Sequence, residues 1–225
     1  MQDIFHKHIK AEFPELLETP FLIAISGGVD SVVLAHLCNY LKLDFALAHC
    51  NFHLRAEESD HDALFVEKLA KQLNCKFFKK SFDTKEESRV SKASIQITAR
   101  HLRYQWFEQL IESTSYKLLL TAHHLDDSLE TFIINLSRST GIKGLTGIPG
   151  QNDYIRRPLL SFSKKEIKDY AIDHNLEWRE DQSNTSTKYL RNQIRHKIVP
   201  ELKQINPNFL SNFGSSLQKI KDAES

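Results

Sequence analysis

The segment Phe21–Leu37, FLIAISGGVDSVVLAHL, constrains the fold of this chain more than any other stretch. A short apolar stretch of β type runs through two glycines into a helical pattern, and α/β proteins place phosphate-binding turns at such junctions. The turn lacks the lysine of a Walker motif, because Asp30 and Ser31 stand where that motif ends in Gly-Lys-Ser/Thr. Bare phosphate would repel Asp30, so its carboxylate either meets phosphate through a divalent cation or caps the following helix.

Strand-like and helix-like segments alternate from this turn onward. Such alternation predicts an α/β fold with a parallel sheet and helices on both faces. Ligands bind such sheets at the carboxyl ends of the strands. The motifs SGG, HCNFH and AHHLDD each follow a predicted strand, so we expect them to meet at one edge of the sheet. The predicted strands are Phe21–Ile25, Phe45–His49, Cys75–Lys79 and Leu118–Ala122.

Composition narrows the class of protein. The chain has 225 residues, 40% of them hydrophobic and 26% charged, which suits one globular core. Its apolar runs are too short to cross a bilayer, and its first residues have the pattern of an amphipathic helix rather than a secretory signal. The three cysteines have no CxxC spacing, which argues against a disulfide framework or a zinc ribbon. We therefore expect a cytoplasmic protein with no membrane partner, and a homodimer is compatible with the sequence.

Six motifs occur in a fixed order along the chain, and together they resemble a known family. The hexapeptide SGGVDS resembles the PP-loop of the N-type ATP pyrophosphatases. The full set is similar to the N-terminal catalytic domain of the tRNA(Ile)-lysidine synthases, from about Phe21 to Leu202. One departure is visible, since the fourth position of the family pattern His-x-Asn-His-x-Leu-Arg is Phe52, followed by His53. The motifs after the hexapeptide are HCNFHLRAEESDHD (49–62), ARHLRYQWF (99–107), TAHHLDDSLETFIINLSRSTGIKGLTGIP (121–149), RRPLL (156–160) and EDQSNTSTKYLRNQIRHKIVPEL (180–202).

The resemblance implies a fold and a reaction. The fold is a Rossmann-like adenine nucleotide hydrolase (PP-loop ATPase) fold. The implied enzyme is a ligase that forms a carbon–nitrogen bond, with ATP and Mg²⁺ as cofactors and with free L-lysine and tRNA(Ile) bearing a CAU anticodon as partners. It adenylates the C2 oxygen of the wobble cytidine with release of pyrophosphate. The lysine amine then displaces AMP to leave lysidine, which changes the codon read from AUG to AUA.

The resemblance also implies a nucleotide site. Catalytic roles fall to Asp30 with Mg²⁺, to Arg100 at the α-phosphate and to Asp127, with Arg103 a weaker candidate than Arg100. The alternative for Arg100 is a surface arginine that pairs with a neighbouring acid. A neutral His123 is expected at the nucleotide, and His49 and Asn51 are candidates to line the same pocket. The nucleotide-binding set is Ser26, Gly27, Gly28, Val29, Asp30, Ser31, Arg100 and His123.

Two carboxylates are predicted to recognise lysine. Asp127 and Glu130 lie three residues apart at a helix start, so both can face one pocket, while Asp126 points elsewhere. A helix dipole alone also explains acids at this position. The resemblance assigns this pair to the lysine ammonium, and one of the two carboxylates could help to deprotonate it. For His124, packing or capping of the helix is an equal alternative to a nucleotide contact.

RNA contacts must come from local basic patches, because the net charge is only +1. Arg191 and Arg195 are spaced i, i+4 on one helical face, with Lys197 beside them. A solvated amphipathic helix is the competing explanation. We expect residues 1–185 to form the PP-loop ATP pyrophosphatase domain. Residues 186–225 would form a basic helical extension that leads to a tRNA-binding domain outside this chain.

Three alternative functions remain open from sequence. A tRNA thiolase shares the loop and the adenylation step but relies on reactive or cluster-binding cysteines, and Cys38, Cys50 and Cys75 are isolated. An amidotransferase-linked synthetase would need a glutaminase partner. A non-catalytic ATP sensor would have no need of an ammonium pocket.

Overall fold

A computed structural model describes residues 1–54, 57–180 and 190–224 of the chain. Its strands are β1 (Phe21–Ala24), β2 (Phe45–Asn51), β3 (Lys76–Ser81), β4 (Leu118–Leu120), β5 (Gln151–Asn152) and β6 (Ile155–Arg156). They form one six-stranded sheet in the order β3-β2-β1-β4-β6-β5. Neighbouring strands are parallel except for β5 and β6, which are antiparallel. The predicted parallel α/β sheet is therefore confirmed, with one antiparallel edge added.

Helices cover both faces of the sheet. Those in the described part of the chain are α1 (Gln2–Glu12), α2 (Val29–Tyr40), α3 (Glu57–Gln72), α4 (Thr84–Ser91), α5 (Ile95–Ser113), α6 (Leu125–Leu136), α7 (Lys164–Asp173), α8 (Leu190–Gln193), α9 (Val199–Ile205) and α10 (Phe209–Glu224). A π-helical turn, Ile194–Ile198, joins α8 to α9. No helix in this part is long and apolar enough to span a membrane.

The core explains why the central strands are continuous apolar runs. Phe21, Leu22 and Ile23 of β1 are fully buried, because a parallel sheet is covered on both faces. One face packs against α1, α2, α3 and α7, and the other packs mainly against Trp106 and Phe107 of α5. A third apolar cluster joins α6 to α9 and α10. The sheet is thus a rigid platform for the loops at its carboxyl edge.

The four predicted strands are present as β1 to β4, with ends that differ by one or two residues. The sequence also predicts a helix capped at Ser161 or Ser163, with Glu166 in capping-box position behind Ser163, and the structure shows the reciprocal capping box of Ser163 and Glu166 at the start of α7. The pair β5–β6 was not predicted, because two-residue strands at a sheet edge depend on tertiary pairing rather than on apolar periodicity. The predicted domain boundary between residues 185 and 186 lies outside the described residues.

Asp126 connects three helices that are distant in sequence. Its carboxylate accepts a hydrogen bond from Lys164 N, at the start of α7, at 2.8 Å. It also accepts a hydrogen bond from Lys203 Nζ of α9. The Asp126 side chain is only 8% exposed, so these two bonds satisfy a largely buried charge. Asp126 thus bonds to α7 and α9, although its Oδ2 also lies 3.8 Å from His124 Nδ1, the imidazole that Asp127 approaches as well.

We expect Asp126→Ala to lower the free energy of unfolding by about 2–3 kcal/mol, because it leaves a helix N–H and an ammonium without their acceptor. Urea unfolding followed by circular dichroism measures this loss. Asp173→Ala, at an exposed carboxylate, is the control and should change stability by less than about 0.5 kcal/mol. Equal losses in the two variants would contradict the role of Asp126 as a connection between helices.

Candidate nucleotide and substrate site

The loop between β1 and α2 is closed on itself by hydrogen bonds. Ser31 Oγ donates to Gly28 O at 2.9 Å and accepts from Ser26 N at 3.2 Å. Gly27 has a φ of +92°, in the region that favours glycine, and α2 begins directly after the loop at Val29. The loop is therefore preformed, with the N-terminus of α2 at the carboxyl edge of the sheet. This arrangement suits a phosphate group.

Asp30, in the first turn of α2, is paired with a lysine from a distant part of the chain. Lys164 Nζ lies 2.6 Å from Asp30 Oδ1 and 2.7 Å from Asp30 Oδ2, across 134 residues of sequence. The ammonium that the loop sequence lacks is thus present beside it in space. The spacing of Ser163 and Glu166 indicates where α7 begins. Nothing in the sequence indicates that this helix begins beside the phosphate loop, so Lys164 was not predicted as a site residue.

Asp30 is a candidate for one carboxylate ligand of a divalent cation. Among the described residues, no group of three or more His, Cys, Asp or Glu side chains could hold a metal ion. A Mg²⁺ ion bound by one carboxylate takes its remaining oxygen ligands from phosphates and water. Asp30 can supply one such carboxylate, and Lys164 would have to release it.

The acidic pair of α6 lies at the end of β4. His124 is the N-cap of α6 and forms a reciprocal capping box with Asp127, whose Oδ2 accepts from His124 N at 3.0 Å. Burial acts to raise the pKa of Asp127, but the electrostatic effect of His124, the hydrogen bond from the His124 backbone and the charge of Arg191 together help to lower it. Glu130 is 1% exposed. The capping role of His124 is therefore confirmed, and Asp127 stays ionised at neutral pH.

His124 also brings the phosphate loop and the acidic pair together. Its Nε2 lies 3.8 Å from Asp30 Oδ2 and 3.4 Å from Asp127 Oδ2. The predicted nucleotide site and the predicted lysine site therefore both border the His124 imidazole.

Two arginines from the C-terminal segment form ion pairs with Asp127 and Glu130. Arg195 Nε lies 2.6 Å from Glu130 Oε1, and Arg195 Nη2 lies 3.1 Å from Asp127 Oδ1. Arg191 Nε lies 2.9 Å from Glu130 Oε2. The structure thus brings the predicted RNA contacts onto the predicted lysine-binding carboxylates. Lys197, the third predicted RNA contact, is exposed.

His123 follows β4, and Arg100 lies near the start of α5. His123 Nδ1 is 2.9 Å from Thr121 Oγ1, and burial is the main cause that lowers its pKa to about 4. The imidazole is therefore neutral at pH 7, as predicted. Arg100 is exposed, and its guanidinium lies 4.8 Å from the centre of the Tyr104 ring.

The HCNFH segment has a mainly structural geometry. His49 is buried, with Nδ1 2.8 Å from Ile25 O, and Asn51 Nδ2 donates to Asp60 Oδ1 at 2.8 Å. His53 N donates to Asn51 Oδ1, which holds His53 in a left-handed conformation with φ +48°. At the position where the family pattern departs, the Phe52 ring stacks on Phe82 and lies below the Arg103 guanidinium.

Comparison with known proteins gives one family match and several close relatives. The PP-loop domain model matches residues 1–202. A tRNA(Ile)-lysidine synthase from Porphyromonas gingivalis is 46% identical over 188 residues, which cover 83% of this chain and 41% of that protein. Its counterpart from Bacteroides thetaiotaomicron is 37% identical, with 96% of this chain and 51% of that protein covered. The chain thus spans about half the length of these curated relatives.

Solved structures agree on the fold. The U34-tRNA thiolase NcsA from Methanococcus maripaludis has a TM-score of 0.77 at 16% identity, covering 97% of this chain and 78% of that chain. The NH3-dependent NAD synthetase from Campylobacter jejuni has a TM-score of 0.54 at 16% identity, covering 100% and 93%. Identity this low shows the architecture alone. The match of the PP-loop domain model to residues 1–202 shows that the chain belongs to the PP-loop domain family.

Proposed function

We propose that this chain is the catalytic part of a ligase that joins L-lysine to the wobble cytidine of tRNA(Ile) with a CAU anticodon, using ATP. One observation carries the proposal. A phosphate loop and a carboxylate pair suited to an ammonium group share the His124 imidazole at one sheet edge, in a chain 37–46% identical to lysidine synthases. We place the enzyme in the cytoplasm, with residues 1–185 as its catalytic domain and 186–225 as a basic extension.

The first step is adenylation of cytidine. The C2 oxygen attacks the α-phosphorus of ATP, and the bond to the β-phosphate breaks to release pyrophosphate. The preformed loop and the N-terminus of α2 would hold the leaving pyrophosphate, and Arg100 would stabilise charge at the α-phosphate. Mg²⁺ held by Asp30 would offset the negative charge of the phosphates.

The second step is attack of the lysine amine on C2, with loss of AMP. The amine arrives as an ammonium ion, and ionised carboxylates hold such a group well. Because its pKa is lowered, Asp127 is a weak base, so we assign it to binding the ammonium, and the proton that the amine loses before it attacks C2 passes to water. Arg191 and Arg195 neutralise the same carboxylates, so the ammonium must share or displace these contacts. Roles for Arg191, Arg195 and Lys197 in RNA binding stay predictions.

A thiolase reaction is less well supported than lysine transfer. Burial raises the pKa of the Cys50 thiol to about 12 and that of Cys75 to about 11, and Cys38 is fully buried with a raised pKa. A thiol with a raised pKa is a poor nucleophile at neutral pH. The described cysteines therefore lack the activation that sulfur transfer needs.

Incubation of the chain with ATP, Mg²⁺, labelled lysine and an anticodon stem-loop bearing CAU tests the reaction. We expect AMP and pyrophosphate as products and label on the RNA, because the loop holds pyrophosphate as a leaving group. Thin-layer chromatography of the nucleotides and scintillation counting of the RNA measure the two outcomes. The same stem-loop with a GAU anticodon is the control, since it lacks the target cytidine. Cleavage of ATP to ADP, or pyrophosphate release without dependence on the RNA, would refute the proposal.

Asp127→Asn should raise the KM for lysine by about tenfold or more and change the ATP Kd by less than about twofold. Asparagine keeps an acceptor oxygen for the His124 N–H, so the change removes the charge and preserves the helix cap. Steady-state kinetics and calorimetry measure the two constants, with Asp173→Asn as the exposed control. A collapsed ATP affinity with an unchanged lysine KM would show that Asp127 serves the nucleotide instead.

Lys164→Met should weaken binding of pyrophosphate with Mg²⁺ by about tenfold, because the ammonium beside the loop is lost. The neighbouring Lys165→Met is the matched control, since Lys165 is exposed and pairs with Asp169 instead. Isothermal titration of pyrophosphate into each variant measures the effect. Tighter binding in Lys164→Met would mean that Lys164 only competes with the metal ion for Asp30.

A further inference from the structure

Arg157, directly after β6, is an arginine with an unfilled hydrogen bond. It is 6% exposed, and its Nη1 donates to Pro149 O at 2.8 Å. Among the buried side-chain nitrogen and oxygen atoms of residues 1–54, 57–180 and 190–224, Arg157 Nε is the one without a hydrogen-bond partner. Buried polar atoms without a partner are rare, and each calls for an explanation such as a bound ligand or ion.

The charge of Arg157 is unpaired as well. No carboxylate of the described residues forms a salt bridge with it, whereas the adjacent Arg156 Nε lies 2.6 Å from Glu15 Oε1. Burial lowers the pKa of Arg157, the Tyr104 hydroxyl opposes this effect, and the nearby charge of Arg100 adds to it. A buried cation without an anion is costly to the fold. Among the described residues, no carboxylate supplies that anion for Arg157.

Tyr104 connects Arg157 to the predicted nucleotide site. Its hydroxyl is close enough to Arg157 to raise the pKa of the guanidinium, and its ring lies 4.8 Å from the Arg100 guanidinium. His123 is near enough for the charge of Arg157 to lower the imidazole pKa. Arg157 therefore acts electrostatically on His123, which follows β4, and Arg100 lies against the ring of Tyr104.

We propose that Arg157 and Arg100, both near Tyr104, form a seat for one phosphate group of the substrates. The planar guanidinium presents paired donors that match phosphate oxygens, and a phosphate would supply the anion that Arg157 lacks. The phosphate belongs either to ATP or to the RNA backbone beside the target nucleotide. This assignment rests on the proposed function for its substrates and adds Arg157 as a phosphate-binding residue.

The competing explanation is that Arg157 only fastens the glycine-rich segment 141–150. Its Nη1 bond to Pro149 and the bond from Arg157 N to Gly150 O at 2.9 Å hold that segment against β6. Such a fastening predicts a loss of stability without a loss of phosphate affinity.

Arg157→Gln tests the seat against this explanation. Two titrations use the whole chain, one with the α,β-methylene analogue of ATP plus Mg²⁺ and one with a CAU anticodon stem-loop. We expect the Kd of one probe to rise about tenfold or more while the other changes less than twofold, and the affected probe identifies the source of the phosphate. Arg156→Gln, which removes a paired arginine next to it, should change neither Kd more than twofold. If Arg157→Gln leaves both affinities within twofold of the wild type, the seat is overturned.

A measurement on the unmodified chain covers the case in which Arg157→Gln does not fold. The ¹⁵Nε–¹Hε signal of Arg157, assigned by its absence in Arg157→Lys, should shift when one of the two probes is added. An unchanged signal at saturation with both probes contradicts the seat. Neither experiment requires lysine transfer. A chain that fails to make lysidine but loses phosphate affinity on Arg157→Gln would refute the proposed function and retain the seat.

Discussion

Negative charge crowds the point where the phosphate loop meets the first turn of α6, and cations from the second half of the chain balance it. In a partly buried region these carboxylates would repel one another strongly if they had no cationic partners. Their partners come from α7, α8, the π-helical turn and α9, so neutralising the charges also fixes the position of these elements. The pairs are Asp30 with Lys164, Asp126 with Lys203, and Asp127 and Glu130 with Arg191 and Arg195. The geometry of both halves of the candidate site depends on this network.

Local physics was enough to predict the frame of the molecule. Apolar runs flanked by turn residues identified β1 to β4, and the Ser163–Glu166 spacing identified the start of α7. The i, i+4 spacing of Arg191 and Arg195 correctly put them on one face. What that face contacts depends on how α8 packs on α6, and sequence spacing carries no such information.

Residues contributed from a distance were beyond sequence reasoning. Lys164 was seen only as a helix residue, although it provides the ammonium beside a loop that has no lysine of its own. Arg157 belonged to a family motif, but its unpaired state became visible only once its neighbours were in place. In both cases the residue type alone is uninformative. Lys164 is notable for its ion pair with Asp30, and Arg157 for an Nε atom without a hydrogen-bond partner among the described residues.

The ion pairs to Glu130 help to determine which part of the chain can fold on its own. Glu130 is buried, and the described guanidinium groups that neutralise it come from residues beyond the chain segment that forms the sheet. A shortened version that ended before Leu190 would keep β1 to β6 yet leave Glu130 without the two guanidinium groups that pair with it and without the helices packed on α6. The smallest autonomous form of this protein is therefore set by electrostatic neutrality rather than by completion of the sheet.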